Sequence, residues 1–164
     1  MGIMGLYNDY CCSNFGLRYY VGYQFWILRF FQPPADDFYD QYSIVMAGNQ
    51  SLSSCSCGLI DFRDLSFLNH SEAFQEVVEH SFTQLEVKNK YAVLCNTPIE
   101  SAFFYLLQQK AAKHNISFGL FSSMEAALEY LQIPADPFFM DEQFQKIEKN
   151  YKVSDSSNLR SVAI

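Results

Sequence analysis

Residues 91–107 read YAVLCNTPIESAFFYLL and contain a sharp boundary between a strand and a helix. YAVLC (91–95) is short, apolar and rich in strand-forming residues, which is typical of a strand in the middle of a sheet. Thr97 can be the N-cap of the helix, Pro98 occupies its first position, and Glu100 completes a capping box. Helical spacing predicts the apolar face of this helix: Ile99, Ala102, Phe103, Leu106 and Leu107.

The alternation of strands and helices extends on both sides of this unit. LRYYVGYQFWILRFF (17–31) predicts a two-stranded hairpin, GLIDF (58–62) a short strand and ISFGLF (116–121) the last strand. Apolar residues at helical spacing predict helices over 36–48 and 71–85. Ser122 and Glu125 form a second capping box before a helix that follows the last strand.

A further helix is predicted at the C-terminal end, over 137–151. One face of it carries an apolar stripe. That stripe must be covered, so the sequence predicts either a helix that packs on the chain's own sheet or a homodimer. The stripe consists of Met140, Phe144, Ile147 and Tyr151.

The order of these elements predicts an α/β fold, ββαβαβαβα with an extra C-terminal helix. Strands that alternate with helices imply a mostly parallel sheet, and the opening hairpin makes that sheet mixed. We expect a single domain over 17–151, an irregular N-terminal segment over 1–16 and a flexible polar tail over 152–164.

Composition excludes several classes of function. The 164 residues are 49% hydrophobic, which suits one compact domain, and 11 Lys and Arg against 18 Asp and Glu give a net charge of −7. This charge disfavours nucleic acid as a partner. The sequence shows no membrane span and no secretory signal. We therefore expect a cytoplasmic protein with reduced thiols.

The cysteines do not form a recognisable reactive or metal-binding set. Cys95 ends a strand and could act as a nucleophile only with a base such as His70 or His114, so burial in the core is the favoured interpretation. The pairs at 11–12 and 55–57 lack the additional ligands that zinc needs.

The polar residues at the end of the third predicted strand do not require a catalytic role. Local ion pairing or helix capping accounts for Asp61, Arg63 and Asp64 more simply than acid–base catalysis does. Common nucleotide-binding and acyl-transfer motifs are absent. We expect no enzymatic activity, no cofactor and no metal.

Three segments resemble the STAS domains, the anti-sigma-factor antagonist fold, and in particular their SpoIIAA-like branch. GLIDFRDLSFLNHSEAF (58–74) resembles the family's strand–loop–helix unit, while YAVLCNTPIESAFFYLLQQ (91–109) and FGLFSSMEAALEYLQI (118–133) resemble its later units. The similarity spans roughly 17–133. It implies a SpoIIAA/STAS-like sheet and a non-catalytic regulatory or protein-binding role centred on the loop at 65–72. The implied partner-binding residues are Asp64, Phe67, Asn69, His70, Ser71 and Glu72.

The resemblance also implies a phosphoacceptor. In the antagonist proteins, the second serine of an Asp-Ser-Ser-Gly turn accepts phosphate from a partner kinase, and Ser71 matches that position. Here Asn69, His70 and Glu72 replace the rest of the turn, and a carboxylate at position 72 would repel a phosphate. The alternative is that Ser71 or Asn69 only caps the next helix.

Two other functions stay open at the level of sequence. SpoIIAA-like folds resemble the lipid-carrying CRAL-TRIO domains, and this chain has 16 Phe residues, so an apolar small molecule or lipid could be bound in an enclosed apolar pocket. The other alternative is a small cysteine-dependent enzyme that pairs Cys95 with a histidine.

Overall fold

The structure, a computed structural model, describes residues 7–11, 15–20, 23–31, 40, 44, 55–63 and 89–158, with the backbone alone at 7–11 and 151–158. Its strands are β1 (Tyr7–Cys11), β2 (Phe15–Tyr20), β3 (Phe25–Phe30), β4 (Cys57–Asp61), β5 (Lys90–Leu94) and β6 (Phe118–Phe121). Its helices are α1 (Pro98–Ala112), α2 (Met124–Leu131) and α3 (Pro137–Asn158). The predicted helices at 36–48 and 71–85 lie outside the described residues, apart from Asp40 and Ile44.

The strands form one mixed sheet in which each strand lies beside its neighbour in the sequence, in the order β1-β2-β3-β4-β5-β6. The pairs β1–β2 and β2–β3 are antiparallel, and the three pairs from β3 to β6 are parallel. The predicted α/β class, the mixed sheet and the hairpin before the parallel strands are therefore confirmed.

Helices cover both faces of the sheet. On one face, the side chains Phe104, Leu107 and Ala111 of α1 pack on the strands together with Trp26 and Val93. On the other face, α2 and α3 pack against a second set of strand residues, which includes Phe25, Ile27, Leu59, Ala92 and Leu94. Successive residues of a strand alternate between these two layers, as the period of two in a strand requires.

The capping box of α1 is confirmed. The Thr97 hydroxyl accepts a hydrogen bond from the Glu100 N–H at 3.3 Å, and the Glu100 carboxylate accepts one from the Thr97 N–H at 3.0 Å. The predicted apolar face is wrong in part, because Ile99 and Leu106 are 52% and 61% exposed. The helix carries two apolar stripes, and the one centred on Phe104 meets the sheet.

Three predicted boundaries are also corrected. The segment 1–16 is not irregular throughout, because β1 lies within it and pairs antiparallel with β2. The N-cap of α2 is Ser123, whose hydroxyl accepts from the Ala126 N–H, and not Ser122. The helix α3 continues to Asn158, so the predicted tail does not begin at 152.

Three residues of the predicted apolar stripe of α3 pack in the layer between this helix and the chain's own sheet. Met140, Phe144 and Ile147 are each 0% exposed. These three side chains therefore require no second copy of the chain, and the homodimer stays a prediction without support from them. Among the helices in the described part of the chain, none is long and apolar enough to cross a membrane.

Candidate functional site

The carboxyl ends of the four parallel strands lie in one row. In the register of the sheet, Arg29 is opposite Asp61, Asp61 is opposite Leu94, and Leu94 is opposite Phe121. A cleft of about 520 Å³ opens beside this row, where α/β proteins commonly bind ligands. Its lining comes from the ends of β3, β4 and β5 and from one face of α3: Arg29, Arg63, Asn96, Phe138, Asp141, Glu142 and Gln145.

Asp61 is the buried anchor of this site, with a side chain that is 0% exposed. One of its oxygens accepts hydrogen bonds from Arg29 Nη1 at 2.8 Å and from Arg63 Nη2 at 2.9 Å. The other accepts from Arg63 Nε at 2.9 Å and from the Arg63 backbone N–H at 3.0 Å. A buried carboxylate requires such compensation. Asp61 thus fixes both guanidinium groups, whose residues line the cleft.

The same two arginines join the strand ends to α3. Arg63 Nη2 donates to Asp141 Oδ1 at 2.8 Å, and Arg29 Nη2 lies 3.3 Å from Glu148 Oε2. Burial acts to lower the pKa of Arg63, but the hydrogen bonds and charges of Asp61 and Asp141 outweigh it and raise that pKa above its ordinary value. The guanidinium therefore stays charged, and its charge is already matched by carboxylates.

The helix α3 presents different chemistry on two faces. Phe138, Asp141, Glu142 and Gln145 follow the i, i+3, i+4, i+7 spacing of one helical face, and all four line the cleft. The stripe centred on Phe144 faces the sheet. Phe138 is 83% exposed, an unusual position for a phenylalanine side chain.

Cys95 does not have the surroundings of a nucleophile. It is 2% exposed, and its Sγ lies 3.4 Å from the Ser101 hydroxyl. Burial raises the pKa of the Cys95 thiol, the contact with Ser101 lowers it and the charge of Glu100 raises it, with a net increase. His114 follows the far end of α1, about 22 Å along the helix from its start at 1.5 Å per residue. His70 lies outside the described residues.

The Cys55 and Cys57 side chains are buried and belong to the packed layers on opposite faces of the sheet. Burial, with a smaller contribution from the nearby Cys57, raises the pKa of Cys55 to about 12. In the part of the chain that the structure describes, no group of three His, Cys, Asp or Glu side chains is arranged to hold a metal ion.

Local ion pairing or helix capping was predicted for Asp61, Arg63 and Asp64, and the structure contains an ion pair between Asp61 and Arg63. The predicted partner-binding residues lie outside the described residues, but that segment begins directly after Arg63, which lines the cleft. The sequence did not lead us to predict that Arg29, Asn96 and one face of α3 line the cleft. The spacing of Phe138, Asp141, Glu142 and Gln145 was the available signal. The predicted partner-binding residues, all outside the described residues, are Asp64, Phe67, Asn69, His70, Ser71 and Glu72.

We compared the chain with models of known protein families, with curated proteins and with solved structures, and none of the three comparisons finds a match. The fold and the cleft define an α/β protein with a polar site at the carboxyl ends of its parallel strands.

Proposed function

We propose that this chain is a non-catalytic, cytoplasmic binding domain of the STAS/SpoIIAA-like type, and that it docks a partner protein at the carboxyl-end edge of its sheet. The observation that carries the proposal is the cleft built around Asp61, because its geometry is preorganised by charged hydrogen bonds and opens at the edge where α/β folds recognise ligands. The predicted binding loop at 65–72 starts two residues after Arg63, which lines the cleft.

The chemistry of the cleft supports a polar partner over the two alternatives. Six of the seven lining side chains are charged or carry amides, whereas a lipid requires an apolar enclosure. The burial and the raised pKa of Cys95 leave little thiolate for catalysis.

A photo-crosslinking experiment tests the docking surface. We expect a photoreactive residue in place of Gln145, an exposed cleft residue, to capture a distinct protein in the native cell. The matched control carries the same group in place of Gln109, which is exposed on α1. Equal capture from both positions, or none from either, would contradict the proposal.

Regulation by phosphate is a separate part of the proposal and concerns Ser71. We expect protein isolated from the native cell to carry a phosphate at this residue, detected by mass spectrometry of the intact chain and its peptides. The Ser71→Ala variant should lose that mass addition. An unmodified Ser71 under all growth conditions would leave helix capping as its role.

A further inference from the structure

The two arginines of the cleft already have carboxylate partners, but its acidic side chains can still bind a ligand. Arg29 and Arg63 both bind Asp61. In addition, Arg29 contacts Glu148 and Arg63 contacts Asp141. Asp141 uses Oδ1 for this contact, and its Oδ2 takes no hydrogen bond from the described residues. These pairings disfavour an anionic ligand, because it would have to displace a carboxylate from each guanidinium.

Glu142 is the acid most available to a ligand. Its contact with Lys146 is an exposed pair at 3.7 Å, with side chains 65% and 56% accessible. Exposed pairs of this kind contribute little and are readily exchanged. Asp141, at 40% exposure, lies beside it on the same face of α3.

Phe138 supplies a second and chemically independent feature. Its side chain is 83% exposed and lies one helical turn before Asp141 and Glu142. The face of an aromatic ring attracts a cation, and the neighbouring carboxylates add to this attraction. Aromatic side chains are also enriched in protein interfaces relative to the rest of the surface.

We propose that the cleft receives the cationic side chain of a lysine or arginine on the partner protein, held between the Phe138 ring and the carboxylates of Asp141 and Glu142. This inference rests on the proposed docking function and names the chemistry of the partner. The side-chain amides of Asn96 and Gln145 line the same cleft and can accept further N–H groups. The net charge of −7 favours approach of a basic surface.

The test is an NMR titration of the isotope-labelled full chain with a capped five-residue peptide that has one central arginine. A single side chain is expected to bind with a dissociation constant of roughly 1 mM, and to shift the amide signals of Phe138, Asp141 and Glu142. The same peptide with citrulline, which keeps the shape and lacks the charge, should bind at least fivefold more weakly. This loss of affinity is what removal of an ion pair together with a cation–π contact is expected to cause.

Variants of exposed residues locate the interaction without disturbing the fold. Glu142→Gln and Phe138→Leu should each weaken binding of the arginine peptide about twofold to fivefold, and together about tenfold. Glu129→Gln removes an exposed acid from α2, away from the cleft, and should leave binding unchanged.

Three results would overturn the inference: no shifts with the arginine peptide, equal binding of the citrulline peptide, or stronger binding of a peptide with central glutamate. Capture of a partner through position 145 combined with any of these results would leave the docking function standing and remove only the cationic ligand. Binding of the peptide without any captured partner would instead count against the docking function.

Discussion

Replacing Phe144 with alanine is expected to lower the free energy of unfolding by about 3–5 kcal/mol, the usual cost of truncating a buried phenylalanine. Phe144 is 0% exposed and belongs to the packed layer between α3 and the sheet. Loss of the ring leaves a cavity at the centre of that contact and weakens the attachment of the helix that forms one wall of the cleft.

The matched control is the same substitution on the same helix. Phe138 is 83% exposed, so Phe138→Ala should change the free energy of unfolding by less than about 0.5 kcal/mol. Urea unfolding followed by circular dichroism measures both values. Similar losses from the two variants would show that α3 does not pack on the sheet as described.

Replacing Asp61 with alanine should destabilise the chain by about 3–5 kcal/mol, because it removes the buried acceptor of four hydrogen bonds and breaks two buried ion pairs. Asp61 is 0% exposed and accepts hydrogen bonds from two guanidinium groups whose side chains are only 14% and 20% exposed. Its loss removes the carboxylate that joins Arg29 and Arg63, while the contacts of these arginines with Glu148 and Asp141 of α3 are retained.

Asp141→Ala is the control for Asp61, since it removes another carboxylate that binds Arg63. The Asp141 side chain is 40% exposed, and its removal should cost no more than about 1 kcal/mol. Urea unfolding compares the two acids directly. A loss below about 1 kcal/mol for Asp61→Ala would contradict the role of this residue as the buried anchor.

Local signals were sufficient for much of the fold. The capping box at Thr97 and Glu100 depends on contacts between residues three apart, so it could be predicted before any packing was known. The short segments that became β4, β5 and β6 were recognised from their local content of apolar, strand-forming residues. The error at α2 was a single residue, because Ser122 and Ser123 are adjacent hydroxyls and either could cap a helix.

Other features could not be predicted because they depend on distant partners. The residues of β1 have little apolar pattern, and it is the ladder with β2 that makes the segment a strand. Similarly, α1 carries two apolar stripes, and its packing on the sheet buries Phe104 and leaves Leu106 exposed. Periodicity identifies a face but does not choose between two of them.

The amino-acid order alone was enough for the α/β class, the hairpin and the capped helix, because these depend on periodicity and on neighbours a few positions apart. The cleft required the assembled chain. Arg29, Asp61 and Asp141 are far apart in sequence, and they meet because the parallel register aligns the strand ends and α3 packs back across the sheet. Such proximity is created by long-range packing, which leaves no local pattern in the sequence.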